Sequence, residues 1–204
     1  MVSLSGSDKA WRDHCASNFG SVPKTDLALL AKQGGTVFGV APTIRMSRLV
    51  RDLPAQRVVR SAPDAVDTED GAVWFEFTGV SQTGRRPRVT LKAQAIVVLV
   101  CQRCLGEMRF AIDETVEFEL FGNEAQANAA LGAEESDPEA PEPLVVDGPV
   151  DLMAIVEDQL ILAIPYVPKH PFCEQARKTA GEPIEPAERE SPFRVLENLK
   201  RDLK

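Results

Sequence analysis

Residues 91–120 read LKAQAIVVLVCQRCLGEMRFAIDETVEFEL, and they are the longest clearly patterned stretch of the chain. Apolar and polar residues alternate on both sides of a central turn at residues 101–106. The apolar positions are Leu91, Ala93, Ala95, Val97, Leu99 and Cys101 on the incoming arm, and Phe110, Ile112, Val116, Phe118 and Leu120 on the outgoing arm. Strict alternation of this length is typical of half-buried strands. The stretch therefore predicts two long strands folded back on each other.

The segments around this hairpin predict an α+β fold. Ala72–Val80 also alternates, and the turn residues Ser81–Gly84 join it to the hairpin, which favours an antiparallel meander. Gln56–Arg60 is a further strand candidate. Asp151–Ile164 has apolar residues at helical spacing behind an N-terminal Asp, and Pro165 ends it. We expect an antiparallel β-sheet or partly open barrel, with this main helix packed against it and short helices towards both termini.

The domain organisation follows from changes in composition. Residues 1–24 are polar and poorly patterned, which predicts a mobile N-terminal tail. Residues 25–204 are expected to form a single domain. Within it, residues 122–148 contain seven acidic residues and no Lys or Arg. A segment of this kind buries little and repels itself, so an acidic disordered loop is expected there, with a short strand near Leu144.

Charge and apolar content limit the class of protein. The chain has 204 residues and a net charge of −8, which argues weakly against general phosphate binding, although a local basic patch is compatible with it. No apolar run approaches the roughly 18 residues of a membrane span, and the N-terminal residues do not read as an export signal. A Cys-x-x-Cys pair without such a signal fits a reducing cytoplasm.

The central turn carries Cys101 and Cys104, two residues apart and followed by Gly106. Two thiolates at this spacing can bind one ion, and a structural zinc needs four ligands. His170 and Cys173, at a spacing of three, supply a second pair and complete a Cys3His set. The alternative is a turn with two semi-buried cysteines and no metal. A redox pair is a weaker alternative, because strands rather than a helix follow the turn.

The remaining charged residues suggest a binding surface rather than a catalytic site. Two basic clusters could form a phosphate-facing patch, or else a solvated face that balances the acidic loop. The candidate RNA-binding residues are Arg45, Arg48 and Arg51 in the first cluster, and Arg85, Arg86, Arg88 and Lys92 in the second. Glu157 and Asp158 are expected to be exposed acids on the polar face of the main helix. The chain has no phosphate-binding glycine loop and no recognised hydrolase motif.

Three segments, in this order, resemble the YceD-type family (DUF177), named for large ribosomal RNA subunit accumulation. The first is CQRCL at residues 101–105, at the end of an apolar strand. The second is EDQLILAIPYVPKH at residues 157–170, followed by Cys173, and the third is SPFRVLENLK at residues 191–200. The resemblance covers roughly residues 25–204 and is more specific than the Cys-x-x-Cys pair alone.

The resemblance implies a non-enzymatic bacterial factor in 23S ribosomal RNA synthesis, processing or accumulation, which acts in the cytoplasm during large-subunit biogenesis. Its expected partner is 23S rRNA or a pre-50S particle, contacted directly or through a ribosomal protein. The alternative is a protein-binding module that acts on a ribosomal protein or assembly factor without touching RNA. No small-molecule substrate, membrane association or cofactor is expected, apart from the one structural zinc considered above.

Overall fold

A computed structural model describes residues 19–20, 22–58, 70–81, 85–131 and 140–173. The elements in chain order are α1 (Leu27–Gln33), β1 (Thr36–Pro42), a 3₁₀ turn (Thr43–Arg45), α2 (Ser47–Val50), β2 (Ala72–Val80), β3 (Arg88–Val100), β4 (Glu107–Phe121), α3 (Glu124–Leu131), β5 (Glu142–Val145) and α4 (Leu152–Ala163). The chain divides into two compact units, Met1–Lys169 and His170–Lys204. All these elements belong to the first unit; the described part of the second is His170–Cys173.

Five strands form one sheet in the order β1-β2-β3-β4-β5. The first four are antiparallel, and β5 runs parallel to β4. The sheet is mixed and does not close into a barrel, so the α+β prediction is confirmed and the barrel alternative does not apply. Residues 56–58 of the predicted strand at 56–60 are not in a strand, and residues 59–60 lie outside the described part.

The central hairpin has the predicted register. Ala95 pairs with Ile112 and Leu99 with Met108, so apolar side chains of β3 and β4 lie side by side on one face. On β3 every apolar residue of that face is buried, from Val89 to Leu99, whereas Phe110 and Val116 of β4 are only partly buried. This face forms the core.

Two capped helices cover the core. Asp26 caps α1, its side chain accepting a hydrogen bond from the N–H of Leu29 at 2.9 Å, and Asp151 caps α4 in the same way through Met153 at 3.0 Å. Helix α4 buries Leu152, Val156 and Leu160 at helical spacing against the sheet. Among the residues described, no helix is long and apolar enough to cross a membrane.

The predicted acidic loop contains regular structure. Helix α3 and strand β5 both lie within residues 122–148, and Val146 donates to the carbonyl of Phe121 at 2.8 Å. The loop prediction is corrected for α3, whereas β5 agrees with the short strand expected near Leu144. Residues 132–139 lie outside the described residues. The sequence signal for α3 is Asn123, whose side chain accepts from the N–H of Gln126 at 3.0 Å as a helix cap.

The predictions for the two ends of the chain can be compared with the structure only in part. Residues 1–18 of the predicted tail and the predicted helix at 193–200 lie outside the described residues. Phe19 packs against a second apolar cluster that contains Trp74, and Gly20 donates to the carbonyl of Val40 at 3.0 Å.

Gly79 allows α1 to approach β2. A Cβ at this position would lie 2.2 Å from the carbonyl oxygen of Leu30, and the Gly79 N–H donates to the Gly35 carbonyl at 2.8 Å. We expect Gly79→Ala to lower the free energy of unfolding by about 1–3 kcal/mol, because backbone must move to relieve the overlap. Urea unfolding measures the change. Gly122→Ala is the control, since a Cβ there meets nothing within 4 Å; equal stability of the two variants would contradict this packing.

Candidate functional site

The cysteine turn closes the β3–β4 hairpin. Cys101 N–H donates to the Gly106 carbonyl at 2.9 Å, and Leu105 N–H donates to the Cys101 carbonyl at 2.9 Å. Cys101 is buried and Cys104 half-buried, and their sulfur atoms lie within 4.8 Å of each other. The left-handed residue that bends the turn is Leu105, with φ of 57°, and not the glycine beside it.

The loop after α4 is attached to this turn. The carbonyl of Pro168 accepts a hydrogen bond from the N–H of Gln102 at 2.8 Å, and Pro168 is buried. Both residues belong to the first unit. The hydrogen bond therefore holds the segment that leads to His170 beside Cys101 and Cys104.

The second ligand pair is described within its own unit. His170 Nδ1 lies 3.7 Å from the sulfur of Cys173. For Zn–S of about 2.3 Å and Zn–N of about 2.0–2.1 Å, a tetrahedral angle separates sulfur and nitrogen by roughly 3.6 Å. The distance between His170 and Cys173 therefore fits two ligands of one tetrahedral zinc.

The four residues predicted as metal ligands belong to both units, Cys101 and Cys104 to the first and His170 and Cys173 to the second, and their joint binding of one metal ion stays a prediction. Three thiols and one imidazole are the donor set of closed structural zinc sites.

A second polar cluster joins α2 to α4. The Glu157 carboxylate accepts hydrogen bonds from the backbone N–H groups of Arg48 at 2.7 Å and Leu49 at 3.1 Å, and from Arg48 Nε at 3.0 Å. Arg48 also pairs with Asp158 at 2.6 Å and donates to the carbonyl of Ala154 at 3.2 Å. Glu157 thus satisfies N–H groups in the first turn of α2, which has no side-chain cap of its own.

The structure corrects the prediction of two exposed acids. Glu157 is 8% exposed, whereas Asp158 is largely exposed, as expected. Burial alone would raise the pKa of Glu157, but the hydrogen bonds from Leu49 and Arg48 outweigh it, so the pKa is lowered. Hydrogen bonds to Glu157 and then to Asp158 raise the pKa of Arg48.

The candidate RNA-binding residues do not form one free basic patch. Arg48 is engaged by Glu157 and Asp158, and Arg45 donates to the carbonyl of Gly20. Arg51 of the first cluster and Arg85 of the second are exposed, and Lys92 of the second cluster is half-buried.

Acidic neighbours surround the second cluster on the sheet. Arg88 pairs with Glu117 at 3.0 Å and with Glu119 at 3.5 Å. Arg86 pairs with Glu119 at 3.5 Å, and its guanidinium lies 4.7 Å from the ring centre of Phe121. Lys92 lies opposite Glu76 of β2. Much of the positive charge that the sequence presents at 85–92 is therefore balanced within the fold.

Comparison with known proteins identifies the family. The family model described as "Large ribosomal RNA subunit accumulation protein YceD" matches residues 89–200, which include the cysteine turn and the loop after α4. A curated protein of that name from Haemophilus influenzae is 36% identical over 117 residues, covering 53% of this chain and 63% of the relative. The chain thus spans under two thirds of the length of that relative. No solved structure matches. The matched segment covers more than half of the 204 residues, and the chain belongs to the YceD family.

Proposed function

We propose that this protein is a non-enzymatic factor that promotes accumulation of 23S ribosomal RNA during assembly of the large ribosomal subunit. The observation that supports the proposal is the match of residues 89–200 to a family named for this effect, together with a related protein of the same name. The matched segment contains both halves of the candidate metal site, so the part of the fold that defines the family is also its chemically distinctive part.

The chemistry of the candidate site favours a structural role for it. A Cys3His set occupies all four positions of a tetrahedral zinc and leaves none open for a substrate. Pro168 is held at the turn by Gln102, and two residues extend at most about 7 Å, so His170 can reach the turn. We therefore assign Cys101, Cys104, His170 and Cys173 to one structural zinc, which would fix the loop after α4 against the hairpin.

A second candidate is a protein-binding module that acts through a ribosomal protein or assembly factor. The net charge of −8 and the ion pairs of Arg48, Arg86 and Arg88 favour it, since they reduce the attraction for phosphate. Ribosomal proteins are a plausible class of partner on charge grounds, because a basic surface would be attracted to an acidic chain.

Sedimentation of a bacterial lysate on a sucrose gradient tests the proposal and separates the two candidates. We expect the protein to sediment with large-subunit precursor particles. Mild RNase should release it if it contacts RNA, whereas a protein-held complex should retain it on the remaining core. A protein that stays at the top of the gradient, with and without chemical crosslinking, would contradict a role on the particle.

A further inference from the structure

Most of one side of β4 has no neighbouring strand among the described residues. Strand β3 pairs with β4 from Glu107 to Glu119, whereas β5, on the opposite side, pairs only with Phe118–Phe121. Strand β5 is therefore much shorter than the strand beside it. Between residues 109 and 116, that side of β4 faces no strand of the described part of the chain. We call residues 109–116 the open edge.

The hydrogen bonds of the hairpin show which backbone groups point out of this edge. Cys101 N–H donates to the Gly106 carbonyl, and the alternation of an antiparallel ladder then turns the even-numbered residues of β4 towards β3. Val98, opposite Arg109, agrees with this alternation, because its own N–H and C=O bond to the side chain of Gln56. Four residues of the open edge therefore direct their N–H and C=O groups away from β3: Arg109, Ala111, Asp113 and Thr115.

The core face is incompletely covered along the open edge. Phe110 and Val116 are only partly buried, whereas their partners on β3, Val97 and Leu91, are 0% and 1% exposed. A strand added beside β4 would lie about 4.8 Å away, close enough for its side chains to cover this apolar surface. The open edge thus offers a further strand both unpaired backbone groups and an apolar face.

Glu114 determines which strand the open edge accepts. Residues 109–116 contain no Lys or Pro, and their pairing with β3 has no bulge, so none of these common protections blocks an added strand. Alternation places Glu114 on the core face between Ile112 and Val116, where it is half-buried. A second copy that pairs edge to edge through Glu114 brings two carboxylates together, which disfavours self-association. A strand with Lys or Arg at this position is favoured instead.

The neighbouring charges favour the same kind of partner. Asp113 is exposed, and among the residues described neither Asp113 nor Glu114 forms an ion pair, with Lys92 of the adjacent strand or with any other cation. The cation of the open edge, Arg109, is itself paired with Asp70. The open edge therefore carries a net negative charge, which attracts a basic segment.

We propose that the open edge binds an extended, basic segment of a partner protein, which adds to the sheet as a further strand. Its backbone pairs with the outward N–H and C=O groups. A Lys or Arg lies opposite Glu114, and apolar side chains lie opposite Ile112 and Val116. In this mode of recognition, main-chain hydrogen bonds give affinity and alternate side chains give specificity. The inference goes beyond the accumulation role and names the surface through which the protein-binding candidate would act.

The test uses the full chain and a fluorescein-labelled heptapeptide, Thr-Val-Arg-Lys-Arg-Val-Thr. Because this sequence reads the same in both directions, its Lys can lie opposite Glu114, and its valines opposite Ile112 and Val116, in parallel or antiparallel pairing. We expect saturable binding by fluorescence anisotropy, and slower hydrogen exchange at the four outward N–H groups in the complex. The same residues without alternation, Val-Val-Thr-Thr-Arg-Arg-Lys, should bind much more weakly, because the apolar side chains then fall on both faces.

Three variants separate the contributions of backbone and charge. Ala111→Pro removes an outward N–H and leaves the bonds to β3, so it should weaken binding at least about tenfold with little change in melting temperature. Glu114→Lys should weaken binding at least about fivefold, and should instead prefer the heptapeptide in which Glu replaces the central Lys. Asp52→Lys makes the same change of charge at an exposed acid outside the sheet, and should bind within about twofold of the unmodified protein.

The proposal is overturned if the unmodified protein does not bind the heptapeptide, or if folded Ala111→Pro and Glu114→Lys bind it as the unmodified protein does. It is also overturned if the outward N–H groups are already protected from exchange in the free protein. Protection that rises with protein concentration would make a second copy the occupant, and protection at every concentration another segment of the same chain. These outcomes leave the proposed function intact. That function fails separately, if removal of the whole chain leaves 23S RNA unchanged.

Discussion

Protein purified without added metal should carry about one equivalent of zinc, and Cys104→Ser should release it. The four ligands come from two segments 66 residues apart, counted from Cys104 to His170, so the ion would bring together segments distant in sequence. Because metal binding and folding are coupled, we expect a loss of stability on the order of 4 kcal/mol or more, and protease cleavage after Pro165. Metal analysis, thermal unfolding and limited proteolysis measure these effects.

Cys15→Ser is the matched control for this experiment. It removes the one cysteine outside the proposed ligand set and should leave both zinc content and melting temperature unchanged. Metal-free protein in which Cys104→Ser has no effect on melting would contradict the assignment. In that case the turn holds two ordinary thiols, and its geometry is set by the hydrogen bonds of Cys101 and Leu105 alone.

Glu157→Ala should be the most damaging substitution on α4 that leaves the apolar core untouched. It removes the acceptor for the N–H groups of Arg48 and Leu49, and leaves an empty space beside α2. An unsatisfied buried donor costs about 1–3 kcal/mol, so we expect a loss of about 2–4 kcal/mol in the free energy of unfolding. Asp158→Asn, at an exposed neighbour, should cost much less. Similar losses in the two variants, measured by urea unfolding, would show that the buried carboxylate is not what joins α2 to α4.

The same residue should make stability depend on pH. The pKa of Glu157 is lowered in the folded protein, so its ionised form stabilises the fold at pH values above the unfolded pKa of about 4.3. This contribution is lost as the pH falls through the folded pKa. We therefore expect the difference in stability between the unmodified protein and Glu157→Gln to be full at pH 7 and to shrink below about pH 4. A difference that stays constant down to pH 3 would argue against ionised Glu157 as the cause.

Alternation and capping made much of the fold predictable. The register of the hairpin follows from the positions that bury Ala95 and Leu99, because a slip by one residue would turn the whole apolar face to solvent. The caps Asp26 and Asp151 and the stop at Pro165 locate the two helices on the core. The spacing in Cys101–Cys104 and His170–Cys173 suggested the ligand set, which stays a prediction.

Features that depend on a partner element were not predictable in the same way. Glu157 lies next to Asp158 on a polar stretch, and nothing local shows that α2 covers one carboxylate and not the other. The parallel pairing of β5 with β4 was missed because Glu142–Val145 is too short to show a period. The loop prediction also missed helix α3. It was based on the many acidic residues and alanines of the segment and did not consider Asn123 as a helix cap.

The basic clusters show the limit of charge counting. In sequence, a run such as Arg85, Arg86 and Arg88 looks like a phosphate-binding patch. Its attraction for phosphate depends on the charges of the residues on the neighbouring strand. Here Glu117 and Glu119 of β4 form ion pairs with Arg86 and Arg88. The exposed Leu105 and Tyr166 had no signal of their own, since single apolar residues in turns and loops are common and only the structure shows that they are bare.

The ratio of 23S to 16S ribosomal RNA in cells that lack this protein tests the account most directly. We expect the ratio to fall when the chain is removed, and to recover when the unmodified protein or Cys15→Ser is supplied. Cys104→Ser should restore it poorly. A ratio that stays the same with and without the protein, in cells shown to express it normally, would contradict the proposed role in large-subunit RNA accumulation.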